Sequence, residues 1–195
     1  PQTGEVYIVN EGESLHFRKE TWHYGYNFTP REVLVACAFA PVPPDLTSAG
    51  ELARSAPPLE SVRRGRYELL DNWPWNVEKV REGQTIKVLR PSEWLHLIQG
   101  EKTPVRVSLF AATDKLTMGL FPLLPGMASD PETHPGDEVA YVAEGRANVY
   151  LPDTAQWFEM QPSDGCFIPT GTRHQYYNMS DQPATIIFGV APRYL

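Results

Sequence analysis

The stretch Gly126-Met-Ala-Ser-Asp-Pro-Glu132-Thr-His134-Pro-Gly-Asp-Glu138-Val-Ala-Tyr-Val-Ala-Glu-Gly145 decides how this chain is read. Side chains on a β-strand alternate faces with a period of two. Glu132, His134 and Glu138 share parity, so extended backbone sets all three on one face. Ala140 and Val142 continue that face with small or apolar groups, as the interior of a closed sheet requires. A second stretch has the same character: Gly165-Cys-Phe-Ile-Pro169-Thr-Gly171-Thr-Arg-His174-Gln-Tyr-Tyr-Asn178. His174, Tyr176 and Asn178 share one face of it. If the two strands are neighbours in a closed sheet, two imidazoles and one or two carboxylates converge. Imidazole plus carboxylate suits Fe, Mn, Zn, Ni or Co, and two His with one carboxylate is the set that oxygen-using non-haem iron sites employ.

Around these stretches the pattern from Val105 onward is all-β. The expected strands are 105–112, 117–124, 137–144, 146–151, 157–160, 165–168, 173–179 and 184–191. Turn signals separate them, among them Pro125-Gly126, Pro135-Gly136, Glu144-Gly145, Pro152-Asp153 and Thr170-Gly171. Many short strands in so compact a span predict a sandwich or barrel.

The two stretches resemble the paired motifs of the cupin superfamily. The first family motif runs Gly, five residues, His-x-His, three or four residues, Glu, six residues, Gly. Every spacing fits, with Glu132 standing where the first His is expected. The second motif runs Gly, then Pro-x-Gly-x-x-His-x-x-x-Asn, and Pro169, Gly171, His174 and Asn178 fit it in register. The resemblance covers nearly half the chain. It implies an all-β fold, a double-stranded β-helix or jelly-roll barrel. Extra N-terminal strands, and short helices in the connection, are expected beside it. It also implies a divalent metal site on His134, Glu138 and His174.

Glu132 has three readings. As a ligand in place of a His it raises the ligand charge from −1 to −2 and favours Mn²⁺ or Fe²⁺ over copper. As a non-ligand it is a catalytic acid or base beside the ion. Third, the site has lost its metal, as in cupins that resemble non-metal versions of the fold. Tyr176, Asn178 and Phe121 are the candidate pocket residues. Each has a plainer reading, Asn178 as hydrogen-bonding support and the two aromatics as core. Asp137 reads as a surface or turn residue.

The chain divides on composition into N-terminal strands (1–41), a Pro-rich connection (42–103) and the barrel with the site (104–195). Strands are expected at Val6–Val9, Leu15–Phe17, Trp22–Phe28, Val33–Ala40 and Thr85–Leu89. A helical turn is expected near Gly50–Ser55, and a short helix over Pro91–Ile98 with Ser92 as its cap. Residues 12–41 align without gaps on 163–192, so that Thr21, His23, Asn27, Ala40 and Pro41 fall on Thr172, His174, Asn178, Ala191 and Pro192. We read this as a half-duplication. The N-terminal copy lacks the first motif, and Arg18 and Glu20 replace the Pro and Gly of the second, so His16 and His23 are read as structural. His96 is read the same way.

The 195 residues carry 19 prolines and a net charge of −7. Proline breaks helices and cannot donate to a ladder, which agrees with short strands. The acidic balance argues against nucleic acid and anionic membrane as partners. Arg63, Arg64 and Arg66 are read as a solvated patch. Cys37 and Cys166 are read as buried, reduced thiols. No run of apolar residues is long enough to span a membrane and no signal peptide is evident, so a cytoplasmic protein is expected.

The leading expectation is a metal-dependent enzyme acting on a small polar organic molecule, sugar-like or carboxylic and hydroxylated. Isomerase, lyase and dioxygenase chemistry stay open. The alternative is a non-catalytic, metal-free protein that binds or senses a small molecule. Phosphate-ester binding through Arg146 or Arg173 is a weaker third. Unpaired strand edges suggest a homodimer.

Overall fold

The computed structural model describes residues 5–18, 21, 23, 25, 27, 29–40, 63, 64 and 86–194. The chain forms two compact units. The first holds Pro1–Asn72 and Asn76–Ser92, the second Trp73–Trp75 and Glu93–Leu195.

The first unit contains β1 (Glu5–Val6), β2 (Ser14–Phe17), β3 (Arg63–Arg64) and β4 (Ile86–Leu89). β1 pairs with β3 in parallel and β2 with β4 antiparallel. Glu13 and Arg90, just outside the β2–β4 ladder, form an ion pair at 3.3 Å. Val33–Ala40 is not a strand: it has no ladder, and Val33, Leu34, Val35 and Phe39 are exposed. The internal alignment shows why. β2 falls on residues 165–168, a strand in both copies. Val33–Ala40 falls on 184–191, a strand held between two others. No described residues flank Val33–Ala40 in that way, and apolar content alone does not make a strand. Thr21, His23, Gly25 and Asn27 lie in no strand. The rest of Trp22–Phe28, and the turn expected near Gly50–Ser55, lie outside the described residues. Cys37 is free and exposed rather than buried, and Cys166 is free and half-buried.

The second unit is a double-stranded β-helix. Its strands are β5 (Leu95–Gln99), β6 (Val105–Ala112), β7 (Thr117–Leu123), β8 (Asp137–Glu144), β9 (Ala147–Leu151), β10 (Gln156–Met160), β11 (Gly165–Ile168), β12 (Gln175–Tyr177) and β13 (Ala184–Ala191). Six form one sheet in the order β11-β8-β13-β7-β6-β5, and three form the opposing sheet β10-β9-β12. Inward residues alternate along β7, β8 and β13. On β8 they are Glu138, Ala140 and Val142; on β13 Ala184, Ile186, Phe188 and Val190. Ala140, Val142, Ile186, Phe188 and Val190 pack with Val105, Val107, Phe121, Val149 and Tyr176 in the core between the sheets. Each fully buried aliphatic or aromatic side chain contributes roughly 1.5–3 kcal/mol.

The short helix expected over Pro91–Ile98 is absent. Pro91–Glu93 is one 3-10 turn, and the next residues form edge strand β5, which pairs with β6. Leu95, Leu97 and Gln99 turn inward while His96 and Ile98 face out. A ready partner strand thus overrides the helical cap signal. His96 is tied to Ser108 through Nδ1 at 2.9 Å. The turn glycine Gly145 has φ +71°, and a Cβ there would stand 2.1 Å from the Pro183 carbonyl oxygen, so only glycine fits. Among the described residues no helix is long and apolar enough to cross a membrane.

Candidate metal centre

Three pieces of backbone carry the site. Glu138 is the second residue of β8 and points inward. Residues 126–134 run beside 174–178 and extend the smaller sheet by isolated bridges. The Glu132 amide donates to the His174 carbonyl at 2.8 Å, and the His174 amide donates back to Glu132 at 3.0 Å. Farther along, Ser129 N–H donates to the Tyr176 carbonyl and Asn178 N–H to Met127. This pairing sets His134 and His174 opposite one another, with ring centroids 5.4 Å apart. The Asp137 carboxylate accepts from the Thr170 amide, and the His134 carbonyl from the Gly171 amide, so the Pro169–Gly171 turn is tied to the first motif. Asp137 opens β8 and is exposed, the surface position rather than the turn position of the two the sequence suggests.

Both imidazoles have their outer nitrogen engaged by backbone. His134 Nδ1–H donates to the Tyr194 carbonyl and His174 Nδ1–H to the Thr172 carbonyl, each at 2.9 Å. A carbonyl only accepts, so Nδ1 carries the proton and Nε2 of the neutral ring presents a lone pair inward. Glu138 Oε2 lies 3.2 Å from Nε2 of both histidines. These three buried atoms have no partner in hydrogen-bond geometry. The other Glu138 oxygen accepts from Tyr176 at 2.6 Å.

That arrangement fits a metal ion. Ligands about 2.1 Å from a common ion, in tetrahedral or octahedral array, stand roughly 3.0–3.4 Å from one another. The outer hydrogen bonds are those that orient metal-binding histidines. Glu132, His134 and His174 also bring one ligand atom each within 4.8 Å of one another. Glu132 stands farther back than Glu138, with its oxygens 3.8 Å from His134 Nε2 and from His174 Nε2.

The carboxylates are pushed in opposite directions. Burial pushes Glu138 up, but the two imidazoles and the Tyr176 hydroxyl outweigh it and bring it down to about 2. Burial lifts Glu132 to about 7; His134 opposes that rise and Glu138 adds to it. For His134 and His174 burial works against the charged form, yet the neighbouring Glu138 carboxylate leaves both above their usual value. In the absence of an ion the cluster therefore holds protons that an ion would displace.

The cavity over the cluster measures about 220 Å³. Glu132, His134 and Glu138 form its polar floor; Val105, Val107, Phe121 and Phe188 form its apolar side. Of the candidate pocket residues, Phe121 lines it and the other two do not. Tyr176 is fully buried behind Glu138. Asn178 is a support: its amide donates to the Leu123 and Gln182 carbonyls at 2.9 and 2.7 Å. Arg146 and Arg173 are exposed and do not line this cavity.

Gln99 and Tyr194 were not foreseen. Gln99 Nε2 donates to Glu132 Oε2, and the Tyr194 hydroxyl donates to Gln99 Oε1. The Tyr194 ring stacks on His134 at 4.6 Å, and burial raises its hydroxyl above the usual range. A polar residue ending the inward row Leu95, Leu97, Gln99 is the signal a strand reading exposes.

The cupin domain family Cupin_2 matches residues 119–190, so the barrel of the second unit carries a cupin domain. The polyketide synthase CurC of Streptomyces cyaneus is 34% identical over 76 residues, 38% of this chain and 48% of that protein, so the match spans about half that relative's length. Among solved structures, the polyketide cyclase RemF from Streptomyces resistomycificus superposes with a TM-score of 0.46 at 19% identity, covering 54% of this chain and 79% of that one. A predicted oxalate decarboxylase from Thermotoga maritima gives 0.47 at 18% identity, covering 56% and 100%.

Proposed function

We propose that the second unit binds one divalent transition metal, Fe, Mn, Zn or Ni, on His134, Glu138 and His174. It is an enzyme of proton transfer on a small polar organic substrate bearing a carbonyl. The observation that carries this reading is the placement of Glu138 Oε2 3.2 Å from Nε2 of both His134 and His174, three buried atoms without a partner in hydrogen-bond geometry, with both Nδ1–H groups tied to backbone.

When bound, the ion supplies Lewis-acid polarisation of a carbonyl or hydroxyl oxygen. Glu132 faces the same cavity and takes the proton from the carbon beside that carbonyl. A carboxyl lifted to about 7 is matched to proton transfer near neutral pH. Phe121, Phe188, Val105 and Val107 hold the carbon skeleton and exclude water. Among the reaction classes left open by the sequence, a free base beside the ion favours isomerase or lyase chemistry over dioxygenation. The name of the relative CurC suggests polyketide-like, multiply oxygenated carbonyl compounds as the substrate class. A homodimer is part of the proposal: Val139 and Phe167, paired across β8 and β11 at the sheet edge, are both exposed. Sedimentation velocity checks it, and a monomer at micromolar concentration removes it.

The test of function is solvent exchange. The metal-loaded protein is incubated in D₂O with small β-dicarbonyl and α-hydroxyketone compounds, and deuterium uptake is followed by NMR. Uptake above the buffer rate that is lost in Glu132→Gln supports the reading. No uptake with any compound, or undiminished uptake in Glu132→Gln, contradicts it.

A further inference from the structure

The Glu132 side chain takes one hydrogen bond, at the end of a chain that runs Tyr194–Gln99–Glu132. Its Oε2 accepts from the Gln99 amide, and both its oxygens sit 3.8 Å from the imidazole nitrogens, against 3.2 Å for Glu138. The Gln99 side chain is held in that orientation from the other end. Because the Tyr194 hydroxyl donates to Oε1, the NH₂ group must face the carboxylate.

Both holders are themselves fixed. Tyr194 is buried between His134 and Phe188, with ring centroids 4.6 and 5.0 Å away, and its carbonyl takes the His134 Nδ1 proton. Gln99 ends β5, immediately before a tight loop. There Gly100 has φ +98°, and the Asp130 carboxylate accepts the amides of Glu101, Lys102 and Thr103 at 2.7–2.9 Å. Neither residue belongs to the two sequence motifs.

We infer that Gln99, oriented by Tyr194, is a positioning residue that keeps Glu132 a free carboxylate on the cavity floor instead of a further ligand to the metal. This rests on the metal site proposed above. A carboxylate released from the amide is a short side-chain rotation from the ligand atoms, and an anion beside a divalent ion binds it unless something else engages it. The Gln99 bond thus preserves both an open coordination position and a base.

The experiment uses Co²⁺ alone as probe, with its visible absorption reporting the ligand set. Gln99→Met keeps the shape and removes the donor; Tyr194→Phe keeps the ring stack and removes the orienting hydroxyl. In both, Glu132 is expected to join the metal. The cobalt bands shift and Co²⁺ binds more tightly by roughly tenfold, the scale on which groups behind metal ligands act. Adding Glu132→Gln to Gln99→Met returns the wild-type spectrum. Unchanged bands and affinity in both single variants overturn the inference, as does a shifted spectrum in Glu132→Gln alone, which would mean that Glu132 is already a ligand. Failure of the wild type to take up Co²⁺ overturns the metal site itself and is told apart by that result.

Discussion

The hydroxyl of Tyr176 donates to Oε1 of Glu138 over 2.6 Å, from a side chain with no solvent exposure. One oxygen of Glu138 is thereby satisfied, and the other is left to face the two imidazoles. Tyr176→Phe removes the donor and strands a buried carboxylate oxygen. The variant is expected to lose about 1–3 kcal/mol in denaturant unfolding. Its metal affinity should fall by roughly 10–100-fold, the usual cost of losing a group that orients a ligand. Equal stability and equal affinity would mean that the bond does not hold Glu138.

The metal-free protein should weaken as the pH rises from 6 to 8. Glu132 sits at about 7 against an ordinary 4.5, so its contribution is complete below 4.5 and is lost as pH climbs through 7. His134 and His174 lie above their ordinary 6.5, so their contribution is also lost on the alkaline side. Glu138 acts oppositely: lowered to about 2, it stabilises above 4.5 and fails only as pH falls toward 2. The Tm of chelator-treated protein should therefore peak between pH 4.5 and 6.5 and drop by several degrees at pH 8. Added metal should restore it there. A flat profile across this window contradicts the arrangement of charges.

Asn178 separates support from site. Asn178→Ala leaves the Leu123 and Gln182 carbonyls without their donor and is expected to cost about 2–3 kcal/mol. Metal per folded chain should not change. A loss of metal at unchanged stability would return Asn178 to the pocket.

The motif residues were legible because their spacing and their strand parity agree. Glu138, Ala140 and Val142 alternate inward on β8 as a period of two requires, and the strands around them fall close to where turn residues place them. Gln99 was hidden because Ser92 reads as a helix cap, and a helix hides the alternation of Leu95, Leu97 and Gln99. Only the pairing with the next strand, β6, which a cap rule does not consider, decides the matter. Tyr194 was hidden for another reason. It lies beyond both motifs, and its link to His134 spans 60 positions, through a carbonyl that every residue possesses. Val33–Ala40 shows the converse: a strand-like composition with no ladder to join among the described residues.

The most direct test of the account is elemental analysis of protein purified without a His tag, as wild type and as His134→Ala/His174→Ala. The account predicts close to one Fe, Mn, Ni or Zn per wild-type chain and none in the folded double variant. A wild type that takes up no metal, even after incubation with each ion, would contradict it.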